Sequence, residues 1–206
     1  AAGNAVYRID PKGFVSEVAY VCPEGGGHYL RYWSSEREVQ FCGHATIAAM
    51  YDLFHSDSAL AGRAKAAIRV GDSRLTVCNE GESGVFIMAP EAELLPMEIH
   101  RDAVLKPMFI APTSLDSRFP ISLVKCGLVA LLVPMRKASA LTDVAPDLED
   151  LTDFCVRHGV DVVVLFTDDR ILPGSHYRTR VFAPRFGYLE DPATGSGNAA
   201  LGSWLL

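Results

Sequence analysis

The chain has 206 residues, 49% of them hydrophobic, which is enough for one large domain or two small ones with real cores and excludes a disordered chain. A formal charge of −6 and a pI near 5.5, with no cluster of Lys or Arg, exclude nucleic-acid and membrane-surface partners and leave small soluble ones. No apolar run approaches the roughly 18 residues of a spanning helix, and Ala1 to Val6 shows no basic region leading into an apolar one, so the expected location is cytoplasmic.

In chain order, Gly3-Asn4 reads as a turn into a short strand, and Pro11-Lys12-Gly13 breaks the pattern. The run from Phe14 to Cys22 reads as a strand in which Glu17 sits among apolar neighbours; a lone Glu in a strand ordinarily faces solvent, and the alternative is an acid/base. Pro23 to Gly27 has turn chemistry and His28 to Trp33 has aromatic strand character, so a hairpin is expected from Glu17 to Trp33. No Gly-Lys-Ser/Thr follows the glycine run, which is therefore not a phosphate loop. From Gly43 the pattern Ala45, Ile47, Ala48, Met50, Tyr51, Leu53, Phe54 predicts a largely buried helix of about three turns. The runs 66–70, 74–78 and 84–88, split by short turns, predict an antiparallel meander. Residues 90–96 read as irregular and 98–105 as a short helix. Ala111 to Ser114 is the expected linker, dividing the chain into lobes 1–111 and 112–206.

Beyond it, 121–126 and 128–133 read as buried strands turning at Gly127. Asp147 to Gly159 reads as an amphipathic helix, with acids in its first turn, bases in its last and a terminating glycine. Strands follow at 160–167 and 177–182, then a loop from Ala183 to Glu190, and a helix from about Ser196 that is still running at Leu206. In the first half three strands follow the equivalent helix, so the closing strands of the second half are expected to lie outside this sequence.

Two stretches match each other in kind: Phe41-Cys42-Gly43-His44-Ala45-Thr46 and Asp191-Pro192-Ala193-Thr194-Gly195-Ser196-Gly197. Cys42 lies over Thr194, Gly43 over Gly195 and His44 over Ser196, each followed by small residues entering a helix. Glycine lets a backbone approach a ligand closely, and the free amides of a first helical turn attract an anion. Two such openings point to a carboxylate held between two similar lobes. The plainer account makes Asp191 or Ser196 a helix cap and His44 a packed turn residue. The five cysteines, Cys22, Cys42, Cys78, Cys126 and Cys155, are widely spaced and mostly in apolar runs; they read as reduced thiols, with no Cys-x-x-Cys pair to suggest a metal. Cys42 is read either as packing under the glycine turn or as a chemical group.

The strings Phe41-Cys42-Gly43-His44-Ala45-Thr46 and Glu190-Asp191-Pro192-Ala193-Thr194-Gly195-Ser196-Gly197, with Gly3-Asn4, Ser16-Glu17 and the lead-in Arg180 to Pro184, resemble the PhzF-like family, named for the phenazine-biosynthesis isomerase. The likeness runs from Gly3 to Leu206 in order. It departs from the family pattern in two places: the helix normally found between the Gly-Asn turn and the Ser-Glu segment is short of residues around Asp10 to Gly13, and the C-terminal strands are missing. The resemblance implies a diaminopimelate epimerase-like α/β fold of the α+β type. This is two similar lobes, each a curved, mostly antiparallel sheet around a central helix, with the active site in the cleft between them. It implies a cofactor-independent isomerase with no metal. On this likeness Glu17 would be the proton-shuttling acid/base, His44 and Asp191 further catalytic positions, and Gly43, Gly195 and Ser196 the expected substrate-binding residues. Members of this fold often pair, so a homodimer is the assembly it suggests.

The chemistry agrees with that assignment. A carboxylate closed into a cleft loses water, its pKa rises toward neutrality, and it can take and return a proton. The amides at Gly43-His44 and Gly195-Ser196 would hold a substrate carboxylate, Asp191 would accept from an amine or hydroxyl, and His44 titrates near neutrality. Diaminopimelate epimerases and proline racemases instead use two opposed cysteines at these helix starts. With Thr194 opposite Cys42, two-thiol chemistry is disfavoured, and a one-thiol racemase or epimerase stays as a rival, since a thiolate at a helix N-terminus has a lowered pKa. A non-catalytic carboxylate-binding protein of the same fold is the third reading.

Overall fold

The computed structural model describes residues 5–8, 17–25, 27–34, 36–169 and 173–206, with side chains from residue 17 onward. The expected Gly3-Asn4 turn, Ser16 and the Asp10 to Gly13 region lie outside the described residues. Contacts divide the chain into two units, Ala1–Pro90 and Glu91–Leu206.

In the first unit the strands are β1 (Ala5–Arg8), β2 (Glu17–Glu24), β3 (Gly27–Ser34), β4 (Glu38–Val39), β5 (Lys65–Val70), β6 (Ser73–Asn79) and β7 (Val85–Ile87), with helix α1 (Gly43–Ser56) between β4 and β5. The sheet order is β1-β2-β3-β5-β6-β7, and β4 pairs with β3. Every pairing is antiparallel except β3 with β5, which α1 connects as a crossover. The β2–β3 hairpin runs in the expected register, Glu17 opposite Ser34 and Val21 opposite Leu30, with Gly25 at φ 53 in the turn.

Helix α1 is less buried than the sequence pattern suggests. Ala45, Ala49 and Leu53, with Thr46, Met50 and Phe54, are spaced four apart on the sheet-facing stripe and are buried. Ile47, Ala48 and Tyr51 are turned away from that stripe by the helical period and are exposed.

The second unit contains β8 (Glu93–Leu95), α2 (Arg101–Leu105), β9 (Ser122–Cys126), β10 (Leu128–Pro134), α3 (Ala138–Thr142), α4 (Leu148–His158), β11 (Val162–Thr167), β12 (Arg178–Phe182) and α5 (Gly195–Leu205). Its sheet order is β12-β11-β10-β9-β8. Only β10 and β11 are parallel, and α3 and α4 make that crossover. All six residues of β11 are buried, as its unbroken apolar run requires, because both faces of the sheet are covered. On one face Leu131, Val133, Val163 and Leu165 pack with Val104 and Met108 and with Leu151 and Phe154 of α4. On the other lies α5, where Trp204 meets the rings of Phe119 and Phe166 edge-on at 5.9 and 5.7 Å.

Helix α4 has the ends its sequence encodes. Asp147 accepts from the amides of Glu149 and Asp150, and Gly159 closes the helix in the left-handed region at φ 66. Two features differ from expectation. Residues 90–96, read as irregular, contain β8, a three-residue edge strand paired with β9 and too short to show a period. That pairing, and the burial of Val104 and Leu105 in the second core, place 91–111 in the second unit, while Pro112–Ser114 forms a 3-10 turn within it. Both units are curled α/β sheets around a helix, the fold class the sequence implied.

Candidate functional site

The first unit gathers Glu17, Cys42 and His44. Along β2 the even alternation puts Glu17 on the same side as Ala19 and Val21, the buried face, while Tyr20 points out. Glu17 is 4% exposed, so the solvent-facing reading of this lone glutamate does not hold. It closes the buried row at the strand's first residue, beside the start of α1. There His44 Nε2 lies 3.1 Å from Glu17 Oε2. The His44 side chain stays one-third exposed, so the pair has a buried and an open member.

Cys42 is the N-cap of α1, extended and buried, and its sulfur lies 3.8 and 3.7 Å from the two ring nitrogens of His44. The near-equal distances describe a sulfur set against the ring rather than a directed bond to one nitrogen. Cys42 first, and then the Glu17 carboxylate, favour the imidazolium and raise the His44 pKa to about 10, against the opposing effect of burial. One donor atom each from Glu17, Cys42 and His44 lies within 4.8 Å of the others, a spacing that suits a metal ion. Cys42 and His44 stand two residues apart in the sequence, but no spacing joins them to Glu17, 27 positions before His44.

A buried hydroxyl relay fixes this corner, and sequence reasoning missed it. Thr46 Oγ1 donates to the Cys42 carbonyl at 2.7 Å, and Tyr32 Oη donates in turn to Thr46 Oγ1 at 2.6 Å. The Thr46 amide reaches the same carbonyl at 3.0 Å. Tyr32 and Thr46 are both fully buried, and burial pushes the Tyr32 pKa up, so its phenol remains a donor. The only available signal was a threonine in the first turn of a helix, four residues after a possible cap, where its hydroxyl can reach back.

The second unit places Asp191, Thr194, Gly195 and Ser196 at the opening of α5. Thr194 is the N-cap and makes no side-chain capping bond, as Cys42 makes none at α1. Asp191 Oδ1 accepts from the Ala193 amide at 3.1 Å, and Thr194 Oγ1 donates to the Asp191 carbonyl. This is a local turn ahead of the helix rather than a cap on it. A Cβ at Gly195 would meet nothing within 4 Å, whereas one at Gly197 would meet Val164 Cγ2 at 3.2 Å and Thr194 Cγ2 at 3.3 Å. Gly195 therefore opens onto free space, and Gly197 lets α5 sit close on β11. Ser196 is buried.

Strand β12 sets the position of this turn. The Asp191 amide donates to the Val181 carbonyl and the Ala183 amide to that of Leu189, so the 183–190 loop returns to its own strand. Arg180 forks onto both oxygens of Glu190 at 2.9 Å, and its other terminal nitrogen donates to the carbonyls of Leu141, Thr142 and Val144. A cavity of about 360 Å³ elsewhere in this unit, lined by Met97, Arg101, Asp116, Phe119 and Arg136 among others, includes none of the expected site residues. Cys22, Cys42, Cys78, Cys126 and Cys155 form no disulfide, and no helix among the described residues is long and apolar enough to cross a membrane.

Comparison with known proteins adds the family. The family model PhzC-PhzF, described as phenazine biosynthesis-like protein, matches residues 10–206. The Escherichia coli protein named uncharacterized isomerase YddE is 26% identical over 187 residues, covering 86% of this chain and 60% of its own length. The Bacillus subtilis uncharacterized isomerase YfhB is 24% identical over 179 residues, covering 85% and 61%. Among solved structures, a Bacillus anthracis phenazine biosynthesis protein of the PhzF family superposes with a TM-score of 0.76 at 21% identity, covering 93% of this chain and 66% of that one. A probable proline racemase from Agrobacterium radiobacter, solved with bound carbonate, shares the fold with a TM-score of 0.63 at 14% identity, covering 95% and 62%. The chain thus spans less than two-thirds of the length of these relatives. With the match running from residue 10 to the last residue and the Cys-Gly-His and Asp-Pro-Ala-Thr-Gly-Ser corners both present, the chain belongs to the PhzC-PhzF, phenazine biosynthesis-like family.

Proposed function

We propose that this chain belongs to a cofactor-independent isomerase that moves a proton on a small carboxylate substrate, amino-acid-like or hydroxyanthranilate-like, with Glu17 as acid/base. The observation that carries this reading is the buried Glu17 carboxylate, 3.1 Å from a partly open His44 at the start of a helix. Glu17 takes a proton from a carbon activated by its neighbouring groups, the electron pair spreads over the substrate's conjugated frame, and Glu17 returns the proton to another carbon of that frame. Atoms and oxidation state are conserved, so the step needs no redox partner. General acid/base transfer of this kind supplies about 10²–10⁴-fold in rate. His44 assists by holding Glu17 and by countering charge that develops on the substrate.

The amides that open each helix, at Gly43 in the first unit and at Gly195-Ser196 in the second, suit a carboxylate, and Asp191 is an acceptor for an amine or hydroxyl. Support comes from the lack of a side-chain cap on either helix and from the open space at Gly195. A second reading, a Cys42-dependent racemase or epimerase, draws on the Cys42 sulfur set against His44. The naming of relatives as isomerases is compatible with both.

The test is proton NMR of a panel of small amino and aromatic carboxylates incubated with the protein in D2O. Deuterium entering one compound, lost in Glu17→Gln and retained in Cys42→Ala, is the expected result. Exchange that survives in Glu17→Gln removes Glu17 from the chemistry, and exchange lost only in Cys42→Ala establishes the thiol reading. Binding of a carboxylate with no exchange in any variant points to a non-catalytic protein.

A further inference from the structure

The Glu17, Cys42 and His44 side chains present one oxygen, one sulfur and one nitrogen, all within 4.8 Å of one another. Zinc binds such donors at about 2.0–2.3 Å in a tetrahedron, which separates neighbouring ligand atoms by roughly 3.3–3.6 Å. Two of the three separations bracket that range, 3.1 Å from Glu17 Oε2 to His44 Nε2 and 3.7 Å from Cys42 Sγ to His44 Nε2, and Glu17 and Cys42 lie within 4.8 Å of each other. The backbones that carry these donors are held in place, Glu17 by its pairing with Ser34 and Cys42 by the Tyr32–Thr46 relay.

We infer that these three side chains form a binding site for a borderline-soft divalent cation, Zn²⁺ in particular. A thiolate and an imidazole select zinc over magnesium or calcium, which prefer all-oxygen shells. Three protein ligands leave the fourth tetrahedral position open, and the one-third exposure of the His44 side chain gives the ion a route in. Binding releases the Cys42 thiol proton to solvent, together with any proton on His44; no electron is transferred. The ion would occupy the lone pairs of Glu17 and His44 that the proposed proton shift requires. The site itself rests on the donor geometry and stands whether or not the isomerase reading does.

The experiment is titration of the purified, chelator-stripped protein with Zn²⁺ against a chromogenic chelator, and with Co²⁺ as a spectroscopic stand-in. One equivalent of Zn²⁺ should bind to the protein and be removed by EDTA, and Co²⁺ should develop a thiolate charge-transfer band. Cys42→Ser should abolish that band, and Cys42→Ser and His44→Gln should each weaken Zn²⁺ at least tenfold, while a Cys22→Ser/Cys78→Ser background leaves both signals unchanged. In the unaltered protein, Zn²⁺ should slow alkylation of Cys42 more than that of Cys22 or Cys78, a readout that does not depend on the variants folding. Equal Zn²⁺ affinity in the Cys42 and His44 variants, or no selective protection of Cys42, overturns the assignment. If binding and protection are found but no substrate exchange is ever seen, the metal site stands and the isomerase reading fails.

Discussion

Replacing Thr46 with valine keeps nearly the same shape and removes one hydroxyl. The Cys42 carbonyl keeps the Thr46 amide at 3.0 Å, so it is not left bare. Tyr32 fares worse: its phenol is fully buried and loses the acceptor that sat 2.6 Å away. An orphaned buried donor costs about 1–3 kcal/mol, so Thr46→Val should lower the folded-to-unfolded ratio of the first unit by roughly 5- to 150-fold. Tyr32→Phe removes the donor along with its bond and leaves Thr46 bonded to Cys42, so its expected cost is smaller, about 0.5–1.5 kcal/mol. In the double variant no orphan remains, and the combined loss should fall short of the sum by about 1 kcal/mol. The assay is urea unfolding followed by fluorescence in a Trp204→Phe background, where Trp33 in β3 reports the first unit. Strict additivity, or a Thr46→Val cost no larger than that of Tyr32→Phe, would refute the relay as the element that fixes the Cys42 corner.

Three further outcomes follow from local geometry. Gly197→Ala pushes a methyl to 3.2 Å from Val164 and should cost about 1–3 kcal/mol, whereas Gly202→Ala, in the same helix with nothing within 4 Å, should gain about 0.5–1 kcal/mol; thermal melts of the two variants should shift in opposite directions. Asp147→Ala removes the acceptor for the amides of Glu149 and Asp150 and should cost about 0.5–2 kcal/mol in chemical denaturation, with asparagine restoring most of it. Glu190 is held below its ordinary pKa of 4.5 by the hydrogen bonds and charge of Arg180, against its own partial burial, so its stabilising contribution is complete above that value and is lost as pH falls through the folded-state value. The stability difference between the unaltered protein and Glu190→Gln should therefore shrink in urea titrations taken from pH 6 to about pH 3, and it should stay below about 1 kcal/mol because Glu190 is 39% exposed.

Much of the fold is legible because local chemistry decided it. The caps of α4 and the hairpin turns at Gly25 and Gly127 each stand within a few residues of the element they end. The strand β8 was not legible: three residues carry no period, and their pairing with β9 depends on a partner nearly thirty positions away. The exposed side of α1 was also hidden, since Ile47 and Ala48 look equally suited to a core. At the site, the Cys-Gly-His corner and the Asp-Pro-Ala-Thr-Gly-Ser turn announced themselves by composition. The meeting of Glu17 with His44, 27 positions later, was legible only through family likeness, because no spacing rule links a strand's first residue to a helix that begins two strands on. The Tyr32–Thr46 relay stayed invisible for the same reason.

Arg180 has one further consequence. Its guanidinium reads two things at once, the C-terminal end of α3 on one edge and the residue just before Asp191 on the other. A lysine would preserve the charge yet reach only one of them. The crossover and the aspartate turn are therefore geared together by a side chain that need never meet a ligand. Variation at this position would shift the aspartate turn while leaving every residue of the turn itself unchanged.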